Sequence, residues 1–289
     1  MGVVDGETVL AEAAAAYRAV LGDRLLAAYA LGSLAHGGFS ELVSDIDLGL
    51  IVDDPLQPGD GETIQAAAET EKRKGSPLHE RLSVFWGTPT TLRGEHEGGR
   101  FPALDRLDLI ENGRLLAGCD DARRGLPVPS ASELLITGAQ FALDYLAGIR
   151  RPRPRATEEL GSMRLADEDA IEEILSPELL LSGGVRRVTK LVLFPVRFLY
   201  TAATGRVGTN DAGVARYLKD DQAPSANLVT AALTWRAAAP DRAAASELLR
   251  EQMLPLYLHY IDDHIARLDS LGENELASGF REWRDRLVR

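Results

Sequence analysis

The stretch AYALGSLAHGGFSELVSDIDLGLIVDD, residues 28–54, decides the fold. It holds two short apolar runs that are separated by a glycine-rich turn, and the first run ends at Gly32 and Ser33. Short apolar runs between turn residues are typical of buried strands, so we expect strands over Leu25–Leu31 and Ile46–Val52. The stretch therefore predicts a strand, a tight turn with a short helix, and a second strand.

Two aspartates open the second strand. Because side chains alternate along a strand, Asp45 and Asp47 are expected on one face, about 7 Å apart along the chain, with Ile46 turned to the core. Hard carboxylate oxygens suit Mg²⁺, which takes one or two protein carboxylates together with substrate phosphates and water. Two ions in such a site can act on the attacking and the leaving oxygen. The pair predicts a metal site for one or two Mg²⁺ ions.

The turn before that strand suits phosphate. A glycine lets backbone N–H groups come close to an anion, and the hydroxyl of Ser33 adds a donor at the start of the short helix. We expect Gly32 and Ser33 to bind the β- and γ-phosphates of a nucleoside triphosphate.

Gly-Ser, a spacer of eleven residues and Asp-x-Asp together resemble the motif of the DNA polymerase β-type nucleotidyltransferase superfamily. Within it the chain looks most like the bacterial streptomycin/spectinomycin (aminoglycoside) adenylyltransferases. A second stretch, RFLYTAATGRVGTNDAGVARYL at residues 197–218, is similar to the second domain of that group. The resemblance implies transfer of a nucleoside monophosphate, AMP from ATP, to an acceptor hydroxyl.

The same resemblance implies a third carboxylate on a later strand, acting as general base. We expect a strand over residues 80–86, where alternation puts Glu80 on one face with Leu82 and Val84, so Glu80 is our candidate. The register stays open by two residues, and Leu82 is the other position for the family's glutamate.

Cations of the second domain are implied to hold the triphosphate. Arg197 and Arg206 match positively charged positions of the family, and Arg186, Arg187 and Lys190 lie earlier on the same predicted helix. A guanidinium fork suits phosphate oxygens. The run RRPRPR at 150–155 is predicted to be a solvated loop, with phosphate binding as the alternative.

The two halves of the chain differ in pattern. Residues 1–128 mix β-rich and helical runs, which predicts an α/β (α+β) nucleotidyltransferase domain with a small mixed sheet. Residues 129–289 are helical almost throughout, which predicts an all-α helical-bundle domain. The prolines of GLPVPS, residues 125–130, mark the boundary.

Composition limits the function classes. The formal charge is −12, and 21 of the 44 acidic residues but only 12 of the 32 basic ones precede residue 131. Nucleic-acid binding depends on Lys and Arg, so this charge argues against a nucleic-acid partner and favours a small cationic one.

A single cysteine, Cys119, expected to be buried at a strand end, allows no internal disulfide. No apolar run reaches the roughly 18 residues of a membrane helix, and we expect a cytoplasmic protein with no membrane partner.

The leading hypothesis is thus a Mg²⁺-dependent adenylyltransferase that modifies an aminoglycoside-type antibiotic and so confers resistance. Two alternatives stay open. One keeps the chemistry and changes the acceptor to a protein or a tRNA, and the other is a non-catalytic nucleotide-binding module of the same fold. The sequence leaves the oligomeric state undetermined.

Overall fold

The computed structural model describes residues 5–149 and 170–289. These residues form two compact units, one of residues 5–129 and one of residues 130–149 and 170–289. The RRPRPR run at 150–155 and the first three residues of a helix predicted over 167–175 lie outside the described residues.

The first unit alternates helices and strands. Its elements are α1 (Gly6–Leu21), β1 (Leu25–Leu31), α2 (Gly32–His36), β2 (Ile46–Val52), α3 (Asp60–Lys72), α4 (Pro77–Glu80), β3 (Leu82–Gly87), α5 (Pro89–Leu92), α6 (Ala103–Glu111) and β4 (Arg114–Gly118). The strands form one sheet in the order β3-β2-β1-β4. β2 and β3 are parallel, whereas β1 is antiparallel to both β2 and β4, so the predicted small mixed sheet is confirmed.

The two faces of the sheet are covered differently. Ile46, Leu48 and Leu50 of β2 are fully buried against the apolar sides of α1 and α3. The alternate residues of β2 have their side chains on the opposite face, where Ile51 packs with Leu109 of α6. At about 25 cal/mol per Å² of apolar surface, each of these large side chains contributes roughly 2 kcal/mol, which fixes which side of β2 faces which layer. Asp47 has the parity of Ile51 and lies on the α6 face.

The second unit is helical throughout its described residues. Its helices are α7 (Ala131–Tyr145), α8 (Ala170–Leu175), α9 (Pro177–Ser182), α10 (Gly184–Thr204), α11 (Asn210–Tyr217), α12 (Ala226–Thr234), α13 (Arg242–Leu271) and α14 (Asn274–Leu287). They enclose one apolar core, so the predicted helical bundle is confirmed. The sequence pattern predicts a helix over residues 184–204, as observed for α10, and Gly205, at φ +66°, ends this helix in a left-handed conformation.

Two local expectations were wrong. Cys119 directly follows β4 but is exposed, since the chain leaves the sheet there for a short 3₁₀ turn at Asp120–Arg123. α9 was not predicted, although Ser176 caps it and Pro177 occupies its first turn. None of the helices in the described part of the chain combines the length and apolarity needed to cross a membrane.

Candidate nucleotide and metal site

The predicted turn and the predicted aspartates meet at one end of β1 and β2. Leu31, the last residue of β1, pairs with Asp47, so the turn that begins at Gly32 lies beside the Asp47 side chain. Gly32 has φ +59°, and a Cβ at this position would overlap Asp47 Oδ2. Both facts require glycine, because a side chain would meet backbone strain and a steric clash at once. The glycine is therefore the residue that allows the carboxylate to pack on the turn.

The other two predicted ligands lie close to this contact in sequence. Ser33 is the second residue of α2, and Asp45 directly precedes β2. Ser33, Asp45 and Asp47 are all half-buried. The structure thus gathers the turn and at least one of the two aspartates at the same sheet end.

The backbone N–H of Gly32 was expected to bind a phosphate, but in the structure it bonds to a side chain. It donates to Asp108 Oδ2 at 2.6 Å, and Asp108 lies on α6, buried to 7% exposure. The other oxygen, Asp108 Oδ1, accepts from Asn112 Nδ2 at 2.8 Å. Asp108 was missed from sequence, since no local pattern pairs a helix carboxylate with an amide 76 residues earlier.

The predicted base does not lie on a strand. Glu80 is the last residue of α4 and is exposed, and β3 begins only at Leu82. The Ser76 hydroxyl caps α4 and Pro77 starts it, a helix-start signal that explains why the strand expectation failed at this end. The residue that β3 places beside Asp47 in the parallel pair is Ser83, and Leu82 pairs with Ile46 on the opposite, buried face.

An aromatic wall continues from this position along the same face. The ring of Phe101 lies so close to Gly49 that a Cβ there would approach it to 3.1 Å. Phe101 also packs against Phe85 with ring centroids 6.0 Å apart, and the Arg100 guanidinium lies 5.1 Å from the Phe85 centroid. Below the aspartates the face is therefore closed by aromatic rings.

A separate polar cluster lies on the other layer of the first unit, among α1, α3 and α4. We call it the Lys74 cluster, and it consists of Glu12, Glu71, Lys74 and His79. Among the described residues, Glu12, Glu71 and His79 are the group of three or more acidic, His or Cys side chains whose ligand atoms lie within 4.8 Å of one another.

A cation already occupies the Lys74 cluster. The Lys74 ammonium lies 2.7 Å from Glu71 Oε2 and 2.8 Å from Glu12 Oε2, while His79 Nδ1 is 2.7 Å from Ser76 Oγ. The hydrogen bond that Lys74 donates to Glu12 lowers the pKa of Glu12 and raises the pKa of Lys74. We therefore interpret the cluster as a structural ion network that joins three helices.

The donor set at the sheet end fits Mg²⁺ better. Asp45 and Asp47 offer hard oxygens. Asp47 Oδ2 occupies space beside Gly32 that the Cβ of any other residue would fill. These two aspartates are the residues that would hold the metal.

The predicted phosphate-binding arginines belong to the second unit. Arg197 Nε donates to the Gly208 carbonyl at 2.5 Å, and its guanidinium lies 5.7 Å from the Phe194 ring centroid. Arg206 is exposed in the turn after α10, and Arg187 is paired with Glu173. Arg197 thus holds the turn that carries Arg206.

The first unit thus carries a small mixed sheet with a Gly-Ser turn beside Asp47, and the second unit is a helical bundle. Among solved structures, the chain matches spectinomycin adenyltransferase AAD(9) from Enterococcus faecialis, determined with ATP and spectinomycin. The match covers 86% of this chain and 99% of that chain, with a TM-score of 0.54 and 14% identity, and it establishes a common fold. No protein-family model and no curated protein matches the sequence.

Proposed function

We propose that this protein is a Mg²⁺-dependent nucleotidyltransferase that moves AMP from ATP to a hydroxyl of a small cationic acceptor, an aminoglycoside-type antibiotic. The observation that carries the proposal is the packing of Asp47 on Gly32. It supports a function in which a metal-binding carboxylate and a phosphate-binding turn act together. The fold shared with an adenyltransferase agrees with it.

The proposed reaction is an in-line displacement at the α-phosphorus. The acceptor oxygen forms a bond to that phosphorus while the bond to the oxygen bridging to the β-phosphate breaks, so pyrophosphate leaves. The acceptor proton passes to a base, for which Glu80 stays our candidate. Such transfers depend on positioning and charge stabilisation more than on covalent chemistry by the protein.

Each residue at the sheet end has a proposed part. Asp45 and Asp47 hold Mg²⁺, which when bound acts as a Lewis acid on the phosphates. The Ser33 hydroxyl is the proposed donor to a phosphate oxygen. Gly32 contributes room for Asp47, because its own amide is engaged by Asp108.

The acceptor class rests on charge and on the structural neighbour. The excess of acidic over basic residues before residue 131 attracts a polycation and repels nucleic acid. The matched enzyme was determined with spectinomycin, a small-molecule acceptor, which supports an antibiotic acceptor here.

Two residues outside the Gly32 turn need their own tests. If Glu80 is the base, Glu80→Gln should lower kcat at least about a hundredfold and leave ATP affinity unchanged. Ser83→Ala is the matched variant, and we expect it to keep most of the activity.

If Arg206 binds the triphosphate, Arg206→Ala should weaken ATP affinity by about tenfold, because a charged hydrogen bond contributes roughly 1.5–3 kcal/mol.

The decisive experiment is incubation with ATP, Mg²⁺ and a panel of aminoglycosides and spectinomycin. We expect pyrophosphate release and one drug heavier by one adenylyl group in the mass spectrum. Labelling of a protein or a tRNA in place of the drugs would move the acceptor to those classes. ATP binding without any transfer would support a non-catalytic module.

A further inference from the structure

We infer that Asp108 is a positioning residue of the proposed nucleotide site, holding the Gly-Ser turn against Asp47; this inference rests on the proposed function. Its carboxylate lies 76 residues from the turn in sequence but bonds directly to it. Asp108 belongs to neither the predicted metal ligands nor the predicted base.

The contact satisfies an amide that the local backbone leaves without an acceptor. Gly32 is the first residue of α2, and the N–H groups of a first helical turn have no partner within the helix. Asp108 Oδ2 accepts this N–H at 2.6 Å, in the short range of hydrogen bonds to a carboxylate. Since Gly32 is half-buried, leaving its amide without such a partner would cost at most about 1–3 kcal/mol.

Asp108 is itself held in place. Its Oδ1 accepts from Asn112 Nδ2 at 2.8 Å, one turn later on α6. The backbone N–H groups of Asn112 and Gly113 donate to the Asp108 carbonyl at 2.8 and 3.0 Å. The end of α6 therefore fixes both the backbone and the side chain that grip Gly32.

Gly32 is thus constrained by two carboxylates, at its amide by Asp108 and at its α-carbon by Asp47. A shift of Gly32 would displace Ser33 relative to Asp47. Since a misplacement of about 1 Å can cost a hundredfold in rate, the Asp108 contact should matter for nucleotide binding and turnover although it touches neither substrate.

The test is Asp108→Asn, with calorimetry of a non-hydrolysable ATP analogue in Mg²⁺. The neutral amide oxygen is a weaker acceptor for the Gly32 N–H than a carboxylate oxygen. Because the Asn112 amide can either donate or accept, the amide at 108 can also face Gly32 with its NH₂ group, which breaks the bond. We expect the Kd to rise about tenfold while the stoichiometry stays at the wild-type value. A purely structural role would lower the stoichiometry, as protein unfolds, and leave the Kd of the folded fraction unchanged.

A swapped pair separates the hydrogen bond from the charge. In the double variant Asp108→Asn with Asn112→Asp, the oxygen at 108 can accept from Gly32 and its NH₂ can donate to the carboxylate at 112. We expect this variant to recover most of the lost affinity. Glu111→Gln, an exposed residue of the same helix, removes one charge and should bind like wild type.

The outcomes distinguish the inference from the function on which it rests. Wild-type protein that binds the analogue, together with Asp108→Asn at wild-type Kd, would overturn the role of Asp108 and leave the proposed function standing. No recovery in the swapped pair would also count against positioning. Wild-type protein that fails to bind the analogue would overturn both.

Discussion

The first unit holds two acidic clusters that look alike in composition and differ in what surrounds them. In the Lys74 cluster, an ammonium group lies within 2.8 Å of both glutamates. At the sheet end, Asp47 packs on a glycine turn whose amide is bound by a further buried carboxylate, Asp108. In the Lys74 cluster, the ammonium group of a side chain balances the negative charge. At the sheet end, Asp47 packs against uncharged backbone.

The comparison teaches that distance between acids is a poor guide to metal binding. The donor atoms of Glu12, Glu71 and His79 lie within 4.8 Å of one another, yet Lys74 already provides the positive charge. Asp45 and Asp47 are favoured by their surroundings, because hard oxygens beside the proposed phosphate-binding turn are what Mg²⁺ and a triphosphate would require together.

The largest expected effect is at Asp47. Asp47→Asn should lower nucleotidyl transfer by about a thousandfold, because it removes one of the two proposed metal-binding carboxylates. The measurement is pyrophosphate release at saturating ATP and Mg²⁺, with the melting temperature as a check on folding. Glu12→Gln is the matched variant from the Lys74 cluster and should keep wild-type turnover. Equal losses in both variants would abolish the distinction between the clusters.

A smaller effect on stability is expected at Lys74. Lys74→Met leaves the buried Glu71 carboxylate without its cation and should reduce the free energy of unfolding by about 1–3 kcal/mol. The readout is the urea midpoint of the first unit. Lys72→Met is the control, since Lys72 lies 3.9 Å from Glu69 at the surface and such pairs contribute about 0–1 kcal/mol. A fall in turnover with no loss of stability would instead give the Lys74 cluster a functional role.

The smallest expected effect is on stability and concerns Asp263 in the second unit, another carboxylate whose charge is balanced by neighbouring side chains. Burial alone would raise the pKa of Asp263, but hydrogen bonds from His264 and Arg267 lower it to about 2. The unfolded value is about 3.9, so the folded state binds the proton less readily, and this contribution is present above about pH 4 and lost as the pH falls towards 2.

Asp263→Asn should therefore cost about 1 kcal/mol of unfolding free energy at neutral pH, after allowance for solvent screening, and the difference from wild type should shrink as the pH falls and vanish only below about pH 2. Urea unfolding across this pH range measures it. Asp262→Asn, which removes an exposed carboxylate bound to Arg284, should change stability by at most about 0.5 kcal/mol. A difference that does not vary with pH would show that packing, not charge, is responsible.

Local sequence patterns predicted the centre of the first unit well. The strands Leu25–Leu31 and Ile46–Val52 agree with the structure at both ends, because each is an apolar run bounded by turn or acidic residues. The start of β3 was wrong because Ser76 and Pro77 favour a helical turn over the β-propensity that follows.

The contacts that complete the sheet end were beyond such patterns. The bond between Gly32 and Asp108 depends on where α6 packs, and the Lys74 cluster collects side chains from three helices. Such contacts are set by tertiary packing, which neither periodicity nor spacing records. The proximity of Gly32 and Asp47 could be predicted because β1 and β2 are neighbours in both sequence and space.

The exposed thiol after β4 gives a practical advantage. Cys119 is the single cysteine of the chain, so one maleimide dye attaches to the first unit without any prior substitution. A second cysteine engineered into an exposed helix of the bundle would accept a partner dye. Energy transfer between the two would then report directly how the separation of the units responds to ATP and to candidate drugs in solution.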